Sequence, residues 1–97
     1  MDMDSKKRIL LADSDDSFRD LLRVALNDEP DFEVVGETGD GEETVALCRR
    51  LKPDLLIMDL MLTQMDGLDV LEALSGAERP AVLVLSAQVR GTWWRPP

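Results

Sequence analysis

A chain of 97 residues is long enough for one domain and too short for two, and with 44% apolar and 32% charged residues it suits a globular unit and excludes wholesale disorder. A net charge of −9 argues against direct nucleic-acid binding, which needs clustered Lys and Arg to neutralise phosphates. With one cysteine, Cys48, and no histidine, the chain also excludes a disulfide framework, the usual zinc sites and every His-dependent triad. Any chemistry falls to carboxylates, hydroxyls and a hard metal ion. No stretch is long enough to span a membrane, and the start, from Met1 to Arg8, lacks a signal peptide's apolar core. A cytoplasmic location is expected.

Strand and helix signals alternate from the first residues onward. Arg8-Ile9-Leu10-Leu11-Ala12 is a short apolar run that ends on Asp13 and predicts the first strand. From Asp16, the residues Phe18, Leu21, Leu22, Ala25 and Leu26 recur at helical spacing, with Asp15 or Asp16 as the cap and Asn27-Asp28-Glu29-Pro30 as the stop. Phe32 to Glu37 alternates enough to be a second strand nearer the sheet edge, and Thr38-Gly39-Asp40-Gly41 reads as a loop. A second helix is expected from about Glu42 to Lys52, with Val45, Cys48 and Leu51 on one face and Pro53 ending it. These helical stripes read as core faces.

Leu55-Leu56-Ile57-Met58 has the uninterrupted apolar character of a strand buried on both faces, and it ends on Asp59. Leu68, Val70, Leu71 and Leu74 predict a short third helix, ended by Ser75-Gly76. Ala81 to Ser86 predicts a fourth buried strand that finishes on a hydroxyl. Four strands alternating with three helices call for parallel strands and right-handed crossovers. The tips Asp13, Asp59 and Ser86 then share one edge of the sheet. That edge is where open parallel sheets bind ligands, and a carboxylate there is costly unless solvated, paired or holding a metal.

These residues resemble the receiver domain of two-component response regulators. The resemblance runs from about Arg8 to Ala87. It rests on Leu11-Ala12-Asp13, Arg19, Asp59 followed by Met65-Asp66-Gly67, and Leu85-Ser86-Ala87. The texture of Glu33-Val34-Val35-Gly36-Glu37 with Asp40-Gly41-Glu42-Glu43 is similar to receivers attached to helix-turn-helix regulators, the stage 0 sporulation protein A group among them. The resemblance implies a flavodoxin-like, doubly wound parallel sheet with strand order 2-1-3-4, truncated after the fourth strand. It implies a phosphoacceptor role for Asp59, taking a phosphoryl group from a sensor histidine kinase or phosphotransfer protein. Mg²⁺ would be held by Asp13, Asp59 and the backbone carbonyl of Met61, with Ser14 the weakest member of the set. Ser86 would donate its hydroxyl to the phosphoryl group. Two carboxylates ~4 Å apart repel by about 4 kcal/mol at an effective dielectric near 20, which a divalent cation relieves.

The chain departs from the family pattern in several places. Ser14 stands where a second acid is usual, so weaker metal binding is expected. Thr63 stands where the loop after the phosphoacceptor usually has a proline, so a modestly looser loop is expected. The fifth strand and its lysine are missing, which leaves the fourth strand as an apolar edge open to self-association. The receiver unit is expected over residues 1–87. Residues 88–97, with Trp93-Trp94-Arg95-Pro96-Pro97, read as a disordered tail or a frame artefact, since Gly91 to Arg95 can be written in codons that read Asp-Val-Val-Ala in a neighbouring frame. Two alternatives accompany the leading reading. One is a degenerate receiver that binds partners without being phosphorylated, favoured by Ser14 and the missing lysine. The other is a haloacid dehalogenase-type phosphatase, disfavoured because Met61 occupies the place of its general acid. Beyond self-phosphorylation, no enzyme activity is expected.

Overall fold

The computed structural model describes residues 5–76 and 79–85. Along them run β1 (Lys7–Ala12), α1 (Asp16–Asn27), β2 (Phe32–Thr38), α2 (Gly41–Leu51), β3 (Leu55–Met58), α3 (Gly67–Ala73) and β4 (Ala81–Val84). The strands form one parallel sheet in the order β2-β1-β3-β4, so the central pair is β1 and β3, the two strands with the most fully buried residues. The expected architecture and strand order hold. Boundaries shift by a residue or two: β1 starts at Lys7, β2 runs on through Thr38, α2 spans Gly41–Leu51, and β4 stops at Val84, with Ser86 and the tail outside the described residues.

Strand periodicity divides the core in two. Leu10, Ala12, Leu56 and Met58 point to the face covered by α2 and α3, where they meet Val45, Cys48, Val70 and Leu74. Ile9, Leu11 and Ile57 point to the other face, where Leu22 and Leu26 of α1 pack on them. Each helix starts on an aspartate whose carboxylate accepts main-chain N–H groups of its first turn: Asp15 for α1, Asp40 for α2 and Asp66 for α3. Glu42 and Glu43 near the start of α2, and Arg49 and Arg50 near its end, suit the helix dipole.

The α1 stripe is not the core face that its spacing suggests. No residue of α1 is fully buried, and Leu21 and Val24 are 66% and 63% exposed. Phe18 and Ala25 are exposed as well, and only Leu22 and Leu26 reach the sheet. Helical spacing shows which residues share a face; it does not supply a neighbour to cover it. Likewise Leu68 of the α3 stripe is exposed, while Val70 is fully buried.

β2 carries an irregularity. Ile9 pairs with Val34 and Leu10 with Gly36, so Val35 is an extra residue on the rim of the sheet. Gly36 sits tightly beside it: a Cβ there would lie 3.0 Å from Leu51 Cδ1 and 3.2 Å from Leu10 Cδ1, side-chain ends that would have to shift. No described helix is long and apolar enough to cross a membrane.

Candidate functional site

Parallel pairing carries the ends of β1 and β3 to the same edge, and the ladder continues into the acids themselves. The Asp59 amide donates to the Ala12 carbonyl at 2.8 Å, and the Asp13 amide donates to the Thr38 carbonyl at 2.9 Å. Asp13 is only 6% exposed, whereas Asp59 is half-buried. Burial raises the Asp13 carboxyl above its ordinary value. The Asp15 N–H bond opposes that rise, while the charge of Asp59 adds to it. The Asp15 amide donates to Asp13 Oδ1 at 2.8 Å, and the Met61 amide donates to Asp59 Oδ1 at 3.1 Å. Both carboxylates are thus oriented from their own turns.

Of the residues expected here, Asp13, Asp59 and Met61 share this edge, and Ser14 follows Asp13 as an exposed residue. Ser86 lies outside the described residues. Asp15 is close in sequence, but its carboxylate caps α1, accepting from Ser17 and Phe18 at 3.0 and 3.1 Å. Among the described residues, no group of three or more Asp, Glu, His or Cys side chains gathers as a metal cage. Mg²⁺ does not require one, since it commonly takes one or two carboxylates and keeps several waters. The donor set of two carboxylates, one of them buried, beside a loop of main-chain oxygens fits such a hard cation.

A cationic strut borders the acids. Arg19 lies almost inside the fold, its side chain 15% exposed. It donates to the Asp13 carbonyl at 2.6 Å, to Asp16 Oδ1 at 2.6 Å and to Glu37 Oε1 at 3.2 Å. Arg23 donates to Glu37 Oε2 at 2.7 Å and to Asp20 Oδ1 at 2.9 Å. The network fastens α1 and the β1 tip to β2. Glu37, which sequence reasoning passed over, is its hub. The bond from Arg23 holds the Glu37 carboxyl below its ordinary value, against the effect of burial and with help from Arg19. Glu37 therefore contributes stability that is fully present above pH 4.5 and is lost as pH falls through its lowered folded value. Urea melts of Glu37→Gln and the parent across acid pH are expected to converge on acidification; parallel curves would contradict this role.

The loop after Asp59 is bonded at Thr63, where the missing proline suggested a looser loop. The Thr63 amide and hydroxyl both donate to the Gly39 carbonyl, at 3.2 and 3.1 Å, and the Gly41 amide donates to the Thr63 carbonyl at 2.9 Å. At its base, the Gly67 amide donates to the Leu60 carbonyl at 2.9 Å. Glycine is required at 67 because a Cβ would sit 2.7 Å from Leu60 Cα. These loop-to-loop bonds leave no periodic trace in the sequence.

Two other features stand apart from this edge. Burial pushes the Cys48 thiol up to about 11, which leaves it protonated and unreactive at neutral pH. A cavity of about 280 Å³, lined by Cys48, Arg49, Lys52 and Arg79 among others, lies toward the opposite edge of the sheet, where β3 and β4 begin.

Comparison with known proteins agrees with this arrangement. Residues 9–92 match the response regulator receiver domain family. The chain is 39% identical over 80 residues to protein-glutamate methylesterase/protein-glutamine glutaminase 3 of Myxococcus xanthus, covering 82% of this chain and 22% of that protein. It is 37% identical over 81 residues to the transcriptional regulatory protein PdtaR of Mycobacterium tuberculosis, covering 84% of this chain and 39% of that one. Its fold superposes on the response regulator domain of CheB from Thermotoga maritima with a TM-score of 0.82 and 29% identity, over 89% of this chain and 65% of that one. The chain thus spans a minor part of these curated relatives, and the methylesterase match is confined to 22% of its length. With an acid pair at the strand edge and the family model spanning most of its length, the chain belongs to the response regulator receiver domain family, whose standard function is phosphotransfer.

Proposed function

We propose that Asp59 is the phosphoacceptor of this domain and that the donor is a phosphohistidine on a kinase or phosphotransfer protein. The observation that carries the reading is the placement of a half-buried Asp59, accepting a bond from its own loop, beside the buried Asp13. An Asp59 carboxylate oxygen forms the new bond to phosphorus as the bond from phosphorus to the donor's imidazole nitrogen breaks, the nitrogen keeping the electron pair. Asp13, Asp59 and the Met61 carbonyl would hold Mg²⁺, with Ser14 the weakest contributor. When bound, the ion screens the carboxylates from the phosphoryl oxygens. The Met61 amide orients Asp59 for attack, and Arg19 steadies the main chain of Asp13. Ser86 is proposed from the sequence as the hydroxyl that donates to the bound phosphoryl group.

The exposed apolar residues of α1 suit the docking of the donor. Phe18 and Leu21 lie within the first turns of the helix that begins beside Asp13. A helical partner seated on them would bring its imidazole to the acid edge. A transcriptional output belongs to the same proposal, by likeness to regulators such as PdtaR.

Incubation with acetyl phosphate and Mg²⁺, followed by intact mass, tests the assignment. One phosphoryl adduct is expected on the parent and none on Asp59→Asn. An adduct that survives in Asp59→Asn would move the site elsewhere. The exposed Ser14 in place of a second acid favours a second reading, partner binding without phosphorylation. Absence of an adduct on the parent would select it.

A further inference from the structure

We propose that Thr63 is a positioning residue, a latch that ties the phosphoacceptor loop to the turn between β2 and α2 and so holds Asp59 in register with Asp13. The inference rests on Asp59 being the phosphoacceptor.

The loop from Asp59 to Asp66 is held at three points. At its base, Gly67 donates to Leu60. Within it, Met61 donates to Asp59. At its tip, Thr63 and the Gly39–Gly41 turn exchange main-chain bonds in both directions, a piece of parallel pairing that lies outside the sheet, with Asp40 opposite Thr63. The Thr63 hydroxyl adds a further bond to the Gly39 carbonyl.

A proline at this position would stiffen the loop through its ring, but it has no N–H and could not make the bond to Gly39. This chain therefore holds the loop by a different device, using both donors of a threonine. The next residue shows that the loop is constrained. Gln64 has φ of 68°, a left-handed conformation that non-glycine residues rarely adopt. The Met65 amide, just past Gln64, donates to the Thr63 carbonyl at 2.7 Å, closing the reversal that this conformation makes. Beyond it, the Met65 carbonyl lies so close to Gly41 that a Cβ there would be 1.9 Å away. Two turns pressed together in this way share their positional order. Whatever loosens the tip reaches the Met61 amide, two residues away, and through it the Asp59 carboxylate.

Thr63→Val keeps shape and the N–H but removes the hydroxyl, and Thr63→Ser restores a hydroxyl. Amide exchange of the metal-free protein, followed by NMR, reads the latch directly. The amides of Met61 and Gly41 are expected to exchange about fivefold faster in Thr63→Val, the equilibrium value of one ordinary hydrogen bond, with Thr63→Ser close to the parent. Rates are taken relative to the core amides of Leu10 and Leu56 in the same sample, which removes any general loss of stability. Unchanged relative exchange at Met61 in Thr63→Val would overturn the proposal, as would failure of serine to restore it. A Mg²⁺ titration by calorimetry judges the site separately: with the latch present, the valine variant binds more weakly than the parent by a similar factor. Equal affinity despite faster exchange would also overturn the positioning role. A parent that binds no Mg²⁺ and takes no phosphoryl group would instead count against the proposed function, while exchange still decides the latch.

Discussion

Asp13→Asn is expected to raise the thermal stability of the metal-free protein at neutral pH and, with Asp13 as the proposed Mg²⁺ ligand, to abolish any stabilisation by Mg²⁺. Asp13 is buried next to Asp59, and its carboxyl is raised above 3.8 by burial first and by the neighbouring negative charges after that. The folded state thus binds the proton more tightly than the unfolded state does. The resulting penalty is absent below pH 3.8, grows as pH rises through the raised folded value, and is complete above it. Asparagine carries no charge and keeps an Oδ1 to accept the Asp15 N–H. Stability therefore rises while the proposed cation ligand loses its charge. A ligand at 100 times its Kd stabilises a folded protein by about 2.7 kcal/mol, and this is the increment expected to vanish in the variant. Thermal melts with and without Mg²⁺, at neutral pH and at about pH 3, check both halves. A variant less stable than the parent without metal, or one that gains as much from Mg²⁺, would refute the account.

Gly41→Ala is expected to be the most disruptive of the small substitutions. The new Cβ would lie 1.9 Å from the Met65 carbonyl oxygen and 2.7 Å from its carbon, both main-chain atoms that no rotamer change can move. The turn before α2 and the loop after Asp59 must separate. Overpacking of this kind costs about 3 kcal/mol at the upper end of its usual range. For a domain of this size, that corresponds to a fall in Tm on the order of 15 °C. The separation should also slow phosphoryl transfer from acetyl phosphate, because Gly41 donates to Thr63 at the loop tip. A variant that melts within a few degrees of the parent would show that the two turns can part freely.

The strands and the acid edge are legible because both leave local marks. Uninterrupted apolar runs identify central strands, and a carboxylate ending such a run is conspicuous against its cost. Hence Asp13 and Asp59, 46 positions apart, fall on one edge by the pattern of the sequence alone. Contacts between loops leave no such mark. Gly41 looks like ordinary loop composition, yet its requirement comes from Met65, which reaches it only in the fold. Thr63 looks like the loss of a stiffening ring, yet the Gly39 carbonyl oxygen accepts from both its donors. The stripe on α1 misleads for a third reason: its spacing is that of a packed helix, but Leu22 and Leu26 alone make the packing. Glu37 stands out only once α1 lies against β2 and two arginines converge on it.

The extra residue on β2 sets the two rims of the sheet apart. With Val35 out of step, the free rim of β2 offers no regular row of donors and acceptors to a newcomer, and Glu33 adds a charge there. The rim beyond β4 is different in kind: Ala81 to Val84 pair with β3 in unbroken register, and Leu83 is 47% exposed. Among the described residues, then, the two borders differ: the β2 rim is out of step, while β4 keeps a regular ladder with its neighbour.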